Sequence, residues 1–419
     1  MTAVEGWKTK KLTDLADYVN GAAFGPDDWG KEGLPIVRIE QLKNPTAPTD
    51  HYAGNLPAKN LIDNGDLVFS WSASLFLKIW RNGPAALNQH LFKVLEKPGV
   101  DREFLKFFIE FHLDEITKAS HGSTMQHITR KELDRFSAPF PEDVQEQTEI
   151  VRILFRVDKA IEQTAAIIAK QQRIKTGLMQ DLLTRGIDEH GNIRTEATHA
   201  FKDSPLGRIP AEWELKSLSD AFAMPPRNGI YKPAQQIGEG SLLIGQNAFT
   251  RDGTLDYALA RRAFVNAAEL ETFGLQEGDL LVSRVFATAD GVGKPVTVSD
   301  LPEPAVYESN MLRLRFNTDC VHPGFVFHWL LSHQMRLAIT SSVNASNQVS
   351  INQKTLNTLP IVIPKKCEQE RILGVIVTAT EAQLDLKRSL VKLRRNKSAL
   401  MQDLLTGKVR VTPLLEAGA

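Results

Sequence analysis

Apolar residues recur along two stretches of this chain at alternating steps of four and three, the seam of a coiled-coil helix. In the first stretch, 146 to 187, the seam runs through Ile150, Leu154, Val157, Ile161, Thr164, Ile168, Gln171, Lys175, Leu178 and Leu182. In the second, 368 to 409, it runs through Ile372, Ile376, Ala379, Gln383, Leu386, Leu390, Leu393, Lys397, Leu400 and Leu404. The stretches superpose without a gap at an offset of 222, sharing Glu-Gln at the start and Leu-Met-Gln-Asp-Leu-Leu-Thr at the end, and so mark duplicated architecture. About 40 residues at 1.5 Å each predict rods of roughly 60 Å. A single rod cannot bury its own seam, and antiparallel pairing explains why two matched copies exist. With the ends flush, Gln383 faces either Thr164 or Gln171, a polar layer expected to pin the register at some cost in stability. Apolar residues off the seam, Ile153, Ile167, Ile174, Val375, Val377 and Val391, predict a second docking face.

Ahead of each rod the pattern shortens. In residues 1–140, β-type runs (Leu34 to Ile39, Asp66 to Ser70, Leu91 to Leu95) are separated by the turn signals Asn20-Gly21, Asn64-Gly65 and Asn82-Gly83. A helix is predicted from Asp101 to Ser120, with Asp101 as N-cap and Phe104, Phe107, Phe108 and Phe111 forming a core face. A second module begins as the first does. Trp213 to Asp220 repeats the pattern of Trp7 to Asp14, Gly278-Asp279 repeats Gly65-Asp66, and 343–364 repeats 120–141. The domain plan is a module at 1–140, a spacer helix at 141–187, a polar connector at 188–206, a second module at 207–363, a second spacer helix at 364–411 and a tail at 412–419. The predicted class is α+β: two mixed α/β modules separated by two long antiparallel coiled-coil helices in a pseudo-twofold internal repeat. The rods are alike and the modules diverge.

Hydrophobic residues, at 42%, suffice for a core in each module, and the formal charge is zero. Charge is unevenly spread: 364 to 411 carries 11 Lys and Arg against 5 Asp and Glu, whereas 141 to 187 carries 7 of each. That stripe follows phosphates or is a solvated helix face. Cys320 and Cys367 lack CxxC spacing and a nearby His cluster, which argues against a disulfide framework or a zinc site. No apolar run reaches signal-peptide or transmembrane length, so a soluble, cytoplasmic protein is expected. Chemistry is sparse. Gly291-Val-Gly-Lys294-Pro295 has Pro where a phosphate loop needs Ser or Thr, no tetrapeptide for amino methylation is present, and His121 and His127 lack a triad context. No catalytic residue and no metal site are predicted.

Polar loops recur instead. Ser70, Trp71, Ser72, Arg81, Asn88, Gln89, His121, Ser123, Thr124 and Gln126 in the first module have counterparts in Ser283, Arg284, Asn310, Asn344, Ser346, Asn347 and Gln348 in the second. Such side chains read base edges or cap their own turns. The matched helices opening on Glu-Gln, preceded by Gly-Ser-Thr-x-Gln-x-Ile-Thr or Ser-Asn-Gln-Val-Ser-Ile-Asn, resemble the DNA specificity subunit of type I restriction-modification systems across essentially the whole chain. The stretch from Phe201 to Trp213 and the two Leu-Met-Gln-Asp-Leu-Leu-Thr ends resemble that family's shared regions. The resemblance implies two target recognition domains, each reading half of a bipartite, asymmetric site in double-stranded DNA, with the rods setting the spacing between the halves. It also implies two methyltransferase subunits, which use S-adenosylmethionine that this chain does not bind, and an optional pair of restriction subunits. The specificity subunit of a combined restriction and methylation enzyme, or a helical scaffold that binds only protein, are the alternatives.

Overall fold

A computed structural model describes residues 4–118, 127–288, 290–342 and 349–413. The chain forms two compact units, Met1–Ile167 with Lys387–Ala419, and Ile168–Leu386. The long helices Val144–Thr184 and Lys366–Leu404 each give one half to each unit.

Within each unit the halves pack antiparallel along the apolar seam. In the first unit Ile150, Leu154 and Leu404 are buried, Val157, Ile161, Leu390, Leu393 and Leu400 are half-buried, and Lys397 reaches Asp158 at 2.6 Å. In the second, Leu182, Ile372 and Ile376 are buried, with Ile168, Leu178 and Leu386 half-buried. There Gln383 donates from Nε2 to Gln172 Oε1 at 2.6 Å, and Glu368 accepts from the Ile187 N–H at 3.1 Å. Positions 172 and 187 thus meet 383 and 368, so the first segment runs forward as the second runs backward. The partner of Gln383 is neither Thr164 nor Gln171. Gln171 is exposed, and its neighbour Gln172 turns its amide onto the seam. A side chain of that length reaches the partner from beside the seam as well as from on it. Of the apolar residues off the seam, Ile153 and Val375 pack against the core of their own unit, which removes them from any docking face. Ile167, Ile174, Val377 and Val391 stay exposed.

Each module joins its rod through one constellation, built from the Glu-Gln pair that opens the helix. Glu146 and Gln147 are fully buried in the first unit, as Glu368 and Gln369 are in the second. A buried carboxylate needs a cation and further donors to offset desolvation. Trp7 donates its indole N–H to Glu146 at 3.2 Å, and Arg410 grips the same carboxylate at 2.5 and 2.8 Å. In the second unit Trp213 donates to Glu368 at 3.2 Å, and Arg194 forks onto the same group. Gln147 ties the backbone of Asp101, Gly99 and Pro141 together, and Gln369 does the same for His322, Cys320 and Pro364. Each arginine follows the end of the other long helix. Gly186 and Gly407 make room there: both have positive φ, and a Cβ at Gly186 would sit 2.5 Å from the Trp213 ring.

The modules share topology despite their divergent sequences. The first has an antiparallel sheet ordered Ala16–Asn20, Leu91–Glu96, Leu67–Ser70, Phe76–Ile79. The second has the same order in Phe222–Asn228, Met311–Phe316, Leu280–Ser283, Pro295–Thr297. A smaller mixed sheet follows in each, holding the parallel pairs Leu34–Val37 with Ala85–Leu87 and Ile237–Ile244 with Ala305–Tyr307. The Gly-Asp turns also match, with Asp66 on Lys93 at 2.8 Å and Asp279 on Arg315 at 2.6 Å. Helix Arg102–Lys118 carries Asp101 as its cap, accepting from the Phe104 N–H at 2.8 Å, and buries Phe104, Phe107 and Phe108 in the core. Its counterpart is broken at Ser332 into Pro323–Leu331 and His333–Ser342. Burying one such aromatic or aliphatic side chain contributes roughly 1.5–3 kcal/mol, so the patterned apolar positions dominate the stability of each unit.

Candidate nucleic-acid interface

In each module one end of the larger sheet gathers segments that are distant in sequence. In the first module strand Leu67–Ser70 ends at Trp71, and strand Leu91–Glu96 begins after Asn88, Gln89 and His90. Ser72 bridges to His127, and the Ile128 N–H donates to the Trp71 carbonyl at 3.0 Å. The Trp71 ring stacks on Phe92 at 5.5 Å and lies 5.9 Å from the rings of both His90 and His127. Among the described residues the indole Nε1 and the His127 Nδ1 are buried without a partner. Lys43 donates to the Ser74 hydroxyl at 2.8 Å, and Arg130 donates to the Asn20 amide oxygen at 3.2 Å, bringing two cations to this end.

The second module repeats the frame with other side chains. Strand Leu280–Ser283 ends at Arg284, and strand Met311–Phe316 begins after Ser309 and Asn310. The Arg284 N–H donates to the Asn310 carbonyl and its own carbonyl accepts from Ile351, each at 2.9 Å. Val285 and Phe286 pair with Val349 and Ser350, as Ser72 pairs with His127. Position by position, Trp71 corresponds to Arg284, His90 to Asn310 and His127 to Ser350. An open cleft of about 780 Å³ is lined here by Gln246, Arg284, Phe286, Ser309 and Asn310.

Of the sequence candidates, Ser70, Trp71, Ser72, Asn88 and Gln89 meet at the first edge, and Ser283, Arg284 and Asn310 at the second. Ser70, Ser72, Asn88 and Ser283 are buried there; Ser70 donates to the Ser74 carbonyl at 2.5 Å, and the Asn88 amide oxygen accepts from the His90 N–H at 3.2 Å. These four build the edge more than they face outward. Arg81 is at the wrong end: it follows Ile79, which pairs with Leu67, whereas the edge lies beyond Ser70 and its partner Phe76. His121, Ser123, Thr124, Gln126, Asn344, Ser346, Asn347 and Gln348 lie outside the described residues. The Gly291-to-Lys294 loop holds no phosphate cradle. Val292 is fully buried, the Gly293 N–H is taken by the Ser283 carbonyl, and Lys294 bonds Asp290 at 2.6 Å.

One feature that periodicity did not reveal is the pair Asn20-Gly21 and Asn228-Gly229. Neither is a hairpin turn. Each glycine crosses the chain leading into the loop at this sheet end so closely that a Cβ on Gly21 would lie 2.1 Å from the Leu87 carbonyl oxygen, and one on Gly229 2.2 Å from that of Glu308. The same dipeptide at the same place in both modules was the available signal.

The sequence profile of the type I restriction modification DNA specificity domain matches residues 4–171 and 261–391. The chain is 22% identical over 417 residues to the type I restriction enzyme MjaVIII specificity subunit of Methanocaldococcus jannaschii, covering 98% of this chain and 94% of that protein. It is 22% identical over 380 residues to the EcoBI specificity subunit of Escherichia coli, covering 88% and 78%. In fold it is similar to a chain solved in work on complex assembly and conformational transition of the type I R-M system, with a TM-score of 0.61 at 16% identity over 97% and 99% of the chains. It is also similar to the S subunit of a type I system from M. genitalium, with a TM-score of 0.54 at 14% identity over 96% and 97%.

Proposed function

We propose, since the chain belongs to the type I restriction-modification DNA specificity family, that the two sheet ends are its base-reading surfaces, one for each half of a bipartite, non-palindromic site. The protein is a sequence-specific DNA-binding subunit that assembles with other subunits, and a scaffold without DNA recognition is set aside. The observation that carries the assignment is the identity of frame and difference of edge: two modules alike in strand order and anchors differ at Trp71/Arg284 and His90/Asn310. A protein that reads two unlike half-sites through one duplicated fold needs its variation there.

Catalysis belongs to partners in this reading. Two methyltransferase subunits, carrying S-adenosylmethionine, dock on the exposed apolar residues Ile167, Ile174, Val377 and Val391, and two restriction subunits complete the cleaving form. Phosphate contacts come largely from the methyltransferases, which suits modules of near-neutral charge. Sequencing methylated DNA from cells that express Trp71→Ala or Asn310→Ala tests the edges. Each variant should alter one half-site and leave the other intact; two unchanged motifs would remove the edges from DNA recognition. Ile167→Asp combined with Val391→Asp should leave the subunit folded while it loses copurifying methyltransferase.

A further inference from the structure

Arg284 stands apart from the paired arginines of its module and from Arg227 and Arg251, which are exposed. Arg261, Arg262 and Arg315 are ion-paired to Glu308, Glu303 and Asp279, and Arg313 and Arg336 spend donors on backbone carbonyls. Among the described residues the half-buried Arg284 is the one charged residue lining the 780 Å³ cleft, and it has no carboxylate partner there. Its guanidinium makes a single long contact, 3.5 Å from Nη1 to the Ser309 carbonyl, while its backbone is pinned on both sides by Asn310 and Ile351. A phosphate-seeking cation is usually free and fully solvated. This one is a planar fork that lines an open cleft together with the exposed ring of Phe286.

We propose that Arg284 is a specificity-determining residue that reads one guanine in the half-site recognised by the second module. Two parallel N–H donors match the O6 and N7 acceptors that guanine alone presents side by side in the major groove. Adenine offers an acceptor beside a donor there and suits an amide. The Gln246 amide already spends one of its two N–H groups on the Val285 carbonyl at 2.9 Å. The corresponding residue of the first module, Trp71, has no fork, so the other half-site has no guanine read from this position. The assignment rests on the sheet end being the DNA surface.

The test uses the full subunit assembled with its methyltransferase partners. The wild-type motif is read from methylated genomic DNA, and duplexes carrying each base pair at each position are then compared for binding. Arg284→Ala should lose roughly 10- to 100-fold discrimination at one G·C position of one half-site and keep every other position. Replacing that guanine with 7-deazaguanine, which lacks N7, should weaken binding of the wild-type complex and leave the Arg284→Ala complex indifferent. Arg284→Lys, which keeps the charge without the fork, should relax the same position, and it serves as the readout if the alanine variant fails to assemble. Uniform weakening with an intact motif, or relaxation at a position that is not G·C, overturns the guanine assignment. An unchanged motif for Arg284→Ala, while Trp71→Ala alters the other half-site, sinks this inference alone. Unchanged motifs for both sink the surface itself.

Discussion

The two units solve one structural problem with the same parts and then part company, most tellingly at two places. Anchors, sheet order and the close-crossing glycines are held in common; the side chains at the sheet end and the ring beneath the seam lysine are not. In the first unit the Lys397 ammonium lies 5.4 Å from the Phe107 ring. In the second the corresponding lysine, Lys175, stands near His328, whose protonation is suppressed to a pKa of about 4 first by burial and then by that lysine's charge. The difference teaches which positions a duplicated fold can vary. A residue that satisfies a buried charge is copied, whereas one that only fills space or faces outward drifts.

Breaking an anchor should have the largest effect. Glu368→Ala strands Arg194, which is almost fully buried and keeps only the half-exposed Glu212 as an ion partner; a loss of about 3–5 kcal/mol is expected. Glu146→Ala should cost less, about 2–3 kcal/mol, because Arg410 is more exposed and can rehydrate. Hydrogen exchange followed separately in the two units gives both numbers, and equal losses would contradict this ordering.

The His328 contrast predicts a stronger pH dependence in the second unit, because the buried His112 of the first is also held below the ordinary value but has Glu115 beside it to oppose the shift. The folded-state pKa of His328, near 4, lies below the ordinary value of 6.5, so the neutral form is favoured by folding. That stability is fully present above pH 6.5 and is lost as pH falls toward 4, on the order of 2–3 kcal/mol. His328→Phe, which copies the first unit, should flatten this part of the denaturation profile, and an unchanged slope would remove His328 as its source.

Gly21→Ala and Gly229→Ala sharpen the comparison of edges. Each new methyl collides with a carbonyl of the loop it crosses, at a cost of about 1–3 kcal/mol. Each should degrade recognition of a single half-site, read from the methylated motif. Damage to both half-sites from one substitution would mean that the glycines act on the fold as a whole. The smallest change is expected at the seam. Gln383→Leu replaces a buried amide whose partner Gln172 is exposed and can bond water instead, so the melting temperature should rise, by up to about 1 kcal/mol of stability; a clear fall would show that the amide pair stabilises the helices.

By itself the sequence determined whatever burial repeats at short range. The steps of four and three located both long helices because each turn of a packed helix must bury the same face, and the offset of 222 located the Glu-Gln pairs. The cap Asp101 and the Phe104, Phe107 and Phe108 face were legible for the same reason. What only the tertiary structure decided were meetings between residues far apart in the chain. The amino acids Trp7, Glu146 and Arg410 show no periodicity, yet the buried Glu146 carboxylate holds the other two. Gln172 takes the place of Gln171 because a flexible amide answers to the geometry of its partner and not to heptad phase. Arg81 and Trp71 were indistinguishable as loop residues until strand pairing sent them to opposite ends of a sheet. Loop side chains carry no repeating burial constraint, so their placement follows from which strands pair.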